Sequence, residues 1–199
     1  DHIKNYRAGE KLIKKFLTTP GGILLGTEMA VNYLSEKVTH AIVVTIDSML
    51  ALPEFRLNHK VFSLLARVRG LTQKELIIQT RQSDNDTITM ISRGQLLEFY
   101  RQEITEREKF DYPPFKTFIK ITHAGPTSEV RQKMKHLAKI LEKETPVLYP
   151  SLHQPGRGLL EINLLLKLAP EQWPQAELVS WLKALPPDYV VSVDPETLI

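Results

Sequence analysis

The sequence predicts an α/β protein in two parts: a parallel-sheet part over residues 1–111, then an α+β domain of ferredoxin-like βαββαβ order over residues 112–199. Three observations carry that prediction. Helical and strand patterns alternate along residues 8–80. One strand pattern, VTHAIVVTI over 38–46, is β-branched and almost wholly apolar, as a strand buried on both faces of a parallel sheet is. The paired prolines of YPPF (Tyr112–Phe115) end a long helical pattern, and the order of elements changes after them.

Taken in order, Ala8, Leu12, Ile13, Phe16 and Leu17 recur at helical spacing, with lysines on the other face. Pro20-Gly21-Gly22 stops that helix. Ile23-Leu24-Leu25 reads as a short buried strand, 28–34 as a second helix, and 38–46 as the long strand, with Asp47 at its end. Leu57, Val61, Leu64, Leu65 and Val68 predict an amphipathic helix over 55–68, and 76–80 another strand. The order αβαβαβ implies a parallel sheet. Residues 87–110 read as one long helix, entered through the turn-and-cap sequence Asp84-Asn85-Asp86. Beyond the prolines come a strand over 115–122, a helix from Thr127 or Ser128 to about 144, strands over 147–149 and 159–168, a helix over 170–184 and a strand over 189–193. In the first of these helices Val130, Met134, Leu137, Ile140 and Leu141 are expected to face inward.

Composition narrows the chemistry. There is no cysteine, which excludes disulfides, thiolate zinc sites and thiol catalysis. The six histidines show no metal-ligand spacing, and His40 reads as a hydrogen-bonded core residue. A net charge of +3 is mild, so nucleic-acid binding would need a local patch. No apolar run has the length of a membrane span. The chain begins without methionine and reads as a segment of a longer protein.

GGILLGTEMA (21–30) has the glycine spacing of a phosphate loop, with Thr27-Glu28 where Lys-Ser would stand. A phosphate loop needs that lysine to reach the terminal phosphates, so a turn, a strand and a turn is the better reading. No nucleophile elbow or calcium loop is present, and no catalytic residue is assigned. Arg67, Arg69 and Lys74 flank Gly70 and are expected to present three cations at one loop. HQPGRGLLE (153–161) is a glycine-rich loop that carries Arg157, suited either to a phosphate or carboxylate contact or to a plain turn.

Six stretches in register, covering essentially the whole chain, resemble the primosomal protein N′ family of replication-restart helicases. ILLGTEM (23–29) resembles its motif V, and FSLLARVRG (62–70) the start of its motif VI. LPEFR (Leu52–Arg56), IIQT (77–80), Glu106-Arg107 followed by YPPF, and the closing VDP (193–195) fit in order. The resemblance implies that residues 1–111 are the C-terminal portion of a RecA-like second helicase lobe, and that 112–199 are the family's C-terminal domain. Gly26, Thr27, Arg67, Arg69, Gly70 and Lys74 would then be remnants of an ATP cleft. ATP, magnesium and zinc would be bound by regions outside this chain, which would carry no cofactor or metal itself.

The departures are specific. Glu28 stands at the motif V glutamine, Arg67 and Arg69 at the glutamine and alanine of motif VI, and Gly70 matches. Leu71 replaces the first arginine, Gln73 the second glycine, and Lys74 the last arginine, which is implied to be the arginine finger. The expectation is a lobe that keeps its fold and has weak or no ATP-coupled unwinding. The C-terminal domain is implied to bind branched DNA and the acidic tail of single-stranded DNA-binding protein, with Arg157 at the tail site and Glu161 where a glutamine belongs. A cytoplasmic monomer is expected. An RNA- or protein-binding scaffold without a fork-specific role is the alternative.

Overall fold

In a computed structural model, residues 6–52, 54–152 and 156–198 are described. They form two compact units: Asp1–Leu52 with Leu57–Leu96, and Pro53–Arg56 with Leu97–Ile199.

The first unit holds α1 (Tyr6–Thr18), α2 (Glu28–Tyr33), β1 (Val38–Val43), α3 (Asp47–Leu50), α4 (Leu57–Gly70), β2 (Thr72–Ile78) and α5 (Asp86–Arg93). β1 and β2 pair in parallel, Ile42 opposite Ile77, as the element order requires. The core lies on α4, whose Val61, Phe62 and Leu65 are buried, with Ile13, Ile46, Ile88 and Ile91.

Three expectations fail in this unit, all for want of neighbours. Residues 23–25 form no strand, because among the described residues no strand pairs with them; Ile23 and Leu25 are 94% and 93% exposed. The long strand is shorter than 38–46, and it is not buried on both faces, since Ile42 and Val44 are exposed. His40 lies on the exposed surface of β1, not in a core. The polar cap is as expected, with Asn85 Oδ1 accepting from the Ile88 N–H at the start of α5.

The second unit begins inside the stretch read as one helix. That stretch is two helices, α5 and α6 (Leu96–Lys109), because Gly94 turns left-handed at φ 71° and ends α5. The Gly94 N–H bonds Ile91 O and the Gln95 N–H bonds Met90 O, a glycine-terminated helix end. The division between the two compact units falls between Leu96 and Leu97. The prolines end the helix without separating it from the sheet beyond them. Arg107 donates two hydrogen bonds to Glu103 Oε1 (2.7 and 2.9 Å) and one to Pro113 O (3.2 Å), which fastens α6 to the turn.

Next come β3 (Thr117–Pro126), α7 (Thr127–Ile140), β4 (Val147–Pro150), β5 (Leu159–Leu168), α8 (Ala176–Lys183) and β6 (Tyr189–Val193). The sheet order is β4-β5-β3-β6, antiparallel throughout, the ferredoxin-like arrangement expected. Side chains alternate across it. Ile119, Ile121, Leu164, Leu166 and Leu168 face α7 and α8, meeting Val130, Met134, Leu137 and Leu182. Ile140, expected inward, is 51% exposed, while Leu141 takes the buried position beyond it. The helix after Thr127 stops at Ile140, and residues 142–144 form only a 3-10 turn. Thr127 caps nothing; its hydroxyl donates to Gly158 O. Likewise 170–184 is a 3-10 turn followed by α8, not one helix.

The other face of the sheet carries Phe118, Asn163 and Leu165, also buried. Thr122 donates to Asn163 Oδ1 at 2.7 Å. No helix among the described residues is long and apolar enough to cross a membrane.

Candidate functional site

The motif-V-like turn is shaped by close approach. A Cβ on Gly26 would lie 2.6 Å from Ala30 Cβ, so only glycine fits where the chain enters α2. Thr27 is extended (φ −92°), and its carbonyl accepts the Ala30 N–H at 2.9 Å, while its side chain caps nothing. Both residues are exposed.

The end of α4 does not gather its cations. Arg67 and Arg69, two positions apart, project about 200° apart around a helix. Arg67 donates to Asn32 Oδ1 at 2.7 Å, and Arg69 to the Ser92 carbonyl at 3.4 Å. Gly70 closes the helix with open space around its α-carbon. Leu71 is half-buried, and its carbonyl receives the Val38 N–H at 2.8 Å, which ties it to the start of β1. Lys74 lies out along β2, exposed. The three cations expected at one loop are thus dispersed over two sides of a helix and a strand.

Asp47 is a brace. Its carboxylate accepts the Thr80 hydroxyl (2.7 Å) and the Arg81 N–H (3.1 Å to each oxygen), joining the end of β1 to the segment after β2.

In the second unit Arg157 sits exposed between Gly156 (φ 144°) and Gly158 (φ 73°), in the turn that leads into β5. Both φ values lie in the region that favours glycine. Among the described residues no hydrogen bond or ion pair holds its guanidinium. Glu161 lies on β5 opposite Ala124, half-buried. Residues 153–155, the first part of the glycine-rich loop, lie outside the described residues.

Two groupings escaped sequence reasoning. At one sheet edge His123 stacks on Tyr189 at 4.6 Å, and its Nδ1 meets Asp188 O at 3.0 Å. Lys133 donates to Asp188 Oδ2 at 3.1 Å; this holds the carboxyl below its usual range and the ammonium above its own. The second is a knot formed by the short stretches LPEFR, YPPF and VDP. The Phe55 ring lies 5.3 Å from Tyr112 and 5.4 Å from Phe118. Phe118 and Asp194 exchange hydrogen bonds: Asp194 Oδ1 accepts the Phe118 N–H at 2.8 Å, and the Asp194 N–H donates to Phe118 O at 2.7 Å. Lys167 Nζ sits 5.0 Å over Tyr112 and 5.2 Å over Phe118, a cation over two aromatic faces. The signal was present as three aromatic or acidic stretches in fixed order. Nothing in the sequence says that they meet. Among the described residues no cluster of histidine and carboxylate side chains is arranged to hold a metal.

No protein-family profile matches the chain. It is similar to the replication restart protein PriA of Chlamydia pneumoniae, 33% identical over 182 residues, which is 85% of this chain and 24% of the relative. The PriA of Thermotoga maritima is 26% identical over 203 residues, covering 98% of this chain and 28% of the relative. That of Bacillus subtilis is 30% identical over 155 residues, 72% of this chain and 19% of the relative. The chain therefore spans about a quarter of the length of the curated relatives it matches.

Proposed function

The chain belongs to the family of replication restart protein PriA, as a C-terminal part of it, and from that membership we propose that it acts by binding branched DNA and recruiting replication partners, with ATP-driven unwinding weak or lost. The observation that carries this reading is the divergence of Arg67 and Arg69 at the end of α4. Stabilising a triphosphate in its transition state takes cations that converge on it before the reaction. Here one guanidinium is engaged on Asn32, the other on Ser92, and Leu71 and Lys74 stand at the two arginine positions of the motif. Lysine offers a point charge where arginine offers a planar fork. In related phosphoryl-transfer systems an absent finger lowers turnover by roughly 10³ to 10⁵.

The binding role falls to the second unit, with Arg157 as the exposed cation at its glycine-flanked turn. The partner is an acidic segment of the type carried by the tail of single-stranded DNA-binding protein. Glu161, near the start of β5 and so close in the chain to that turn, weakens the interaction by like charge. This reading places the protein in the cytoplasm as a monomer.

Titrating the chain with a forked duplex, single-stranded DNA and an RNA hairpin, each at two salt concentrations, tests it. The fork should bind most tightly, with an affinity that falls as salt rises. Equal affinity for all three would favour a scaffold that binds RNA or protein instead. Arg157→Ala should weaken binding of an acidic tail peptide by about tenfold, the scale of one charged hydrogen bond; an unchanged affinity removes Arg157 from the site. ATP hydrolysis at ordinary helicase rates, stimulated by forked DNA, by the protein containing this chain would overturn the part about unwinding.

A further inference from the structure

The four-stranded sheet has two edges, β4 and β6, and they offer different things to a neighbour. Just past β4 the Ser151 N–H donates to Glu161 O, so by the alternation of an antiparallel ladder Leu148 and Pro150 turn outward. Proline has no N–H, which blunts that edge. On β6 the Asp194 N–H donates to Phe118 O, so Val190, Ser192 and Asp194 face β3, while Val191 and Val193 turn their N–H and C=O outward. Among the described residues no hydrogen bond takes up those groups. No proline interrupts β6, and Val193 is 46% exposed.

Beside this open edge lies a cavity of about 380 Å³, lined by Trp173, Val179, Leu182, Lys183, Val191 and Val193. It sits between α8 and β6, on the side of the sheet that carries the core. Its walls are apolar except for Lys183, exposed at the end of α8. Among the described residues no hydrogen bond or ion pair holds that ammonium. Asp194, next along the strand, turns its carboxylate onto the Phe118 N–H instead. We propose that β6 accepts an extended peptide segment of a protein partner as an added strand, with a large apolar side chain of the segment in the cavity and an acidic residue two positions along it against Lys183. A side chain opposite Val191 or Val193 on an added strand projects to the same face as they do, toward the cavity, and the next on that face comes two residues later. The ladder supplies affinity whatever the sequence; the cavity and the lysine select the partner. A second copy of the chain is the poorer occupant, because on the cavity side its β6 offers Val191 and Val193, too short to fill the space. The surface is separate from the Arg157 turn: Val193 pairs with Ile119 toward one end of β3, and Leu159, just after that turn, with Pro126 at the other.

Binding of synthetic peptides to the 199-residue chain tests this. The probe is a threonine-rich strand peptide with a phenylalanine and, two positions on, a glutamate. Tryptophan fluorescence reports its binding, since Trp173 lines the cavity. Hydrogen exchange at the Val191 and Val193 amides should slow when it is bound. Serine in place of the phenylalanine should weaken binding by about tenfold or more. Lys183→Glu should weaken it by about fivefold, and a peptide with lysine in place of the glutamate should recover binding to that variant. N-methylating alternate amides gives two further probes: the one whose blocked amides face β6 should lose binding, and its counterpart should keep it. Arg157→Ala should change nothing, which separates this site from the acidic-segment site at that turn. Equal loss with both methylated probes, exchange at Val191 and Val193 that ignores the bound peptide, or no binding of the probe overturns the proposal. Protection of the same amides that grows with protein concentration alone assigns the edge to a second copy and overturns it too.

Discussion

The two units bury their signature residues to opposite degrees. The stretch that resembles motif V lies open, with Ile23 and Leu25 almost fully exposed and Gly26 and Thr27 at the surface. In the second unit the short stretches YPPF and VDP, joined by the Phe55 of LPEFR, close around Phe118, which has no exposed surface. Recognisable sequence thus marks two separate constraints. One is a shape, such as the glycine that Ala30 demands at position 26. The other is an enclosed contact among residues far apart in the chain.

A matched pair of truncations puts that contrast most directly at risk. Phe118→Ala empties a closed aromatic cluster and should destabilise the second unit by about 3–5 kcal/mol, read from the denaturant midpoint of the sheet. Leu25→Ala removes a side chain that is already in water, so its effect should stay within about 0.5 kcal/mol. A large loss from Leu25→Ala would mean that the first unit's apolar surface is covered after all, and the contrast would fall.

A smaller effect tests what holds the first unit in place of a large core. Its parallel pair has two strands, and polar bonds take over part of the fastening at the strand ends. Asp47→Asn keeps the shape but removes the charge that Thr80 and Arg81 address, and should cost about 1–2 kcal/mol in the same unfolding measurement. A neutral outcome would show that α4 alone keeps this unit folded.

Most of the second unit is legible in the sequence, because alternating strands and an amphipathic helix write their burial into a period. Spacing places Val130, Met134, Leu137 and Leu141 correctly but not Ile140, which lies about 90° around the helix from the stripe that those four share. The first unit is harder. Ile23-Leu24-Leu25 and 38–46 have the composition of buried strands, and composition cannot say whether a neighbour is present to bury them. Two prolines mark a helix end and read as a domain boundary; the Arg107 hydrogen bond to Pro113 O that fastens α6 to the turn has no local signature. At the candidate site, spacing puts Arg67, Arg69 and Lys74 near one glycine. The helical angle between neighbouring positions sends two of them apart, a consequence available from the sequence once α4 is known to run to Gly70.

The smallest effect concerns a buried hydroxyl. Tyr149 stands on β4 opposite Asn163, on the face of the sheet away from α7 and α8. Its Oη is buried without a hydrogen-bond partner, and burial raises its pKa from 10.0 to about 12. A folded-state pKa raised above the unfolded one means that the native state prefers the neutral phenol. The resulting stability is fully present below pH 10 and is lost as pH rises through the folded value near 12. Tyr149→Phe removes both the ionisation and the unpaired oxygen, so it should leave the neutral-pH stability equal or slightly higher and flatten its fall between pH 10 and 12. The measurement is the denaturant midpoint across that range, with wild type alongside. A variant that is less stable at neutral pH would mean that the hydroxyl has a partner, and the second face of the sheet would then be more polar inside than its closed knot implies.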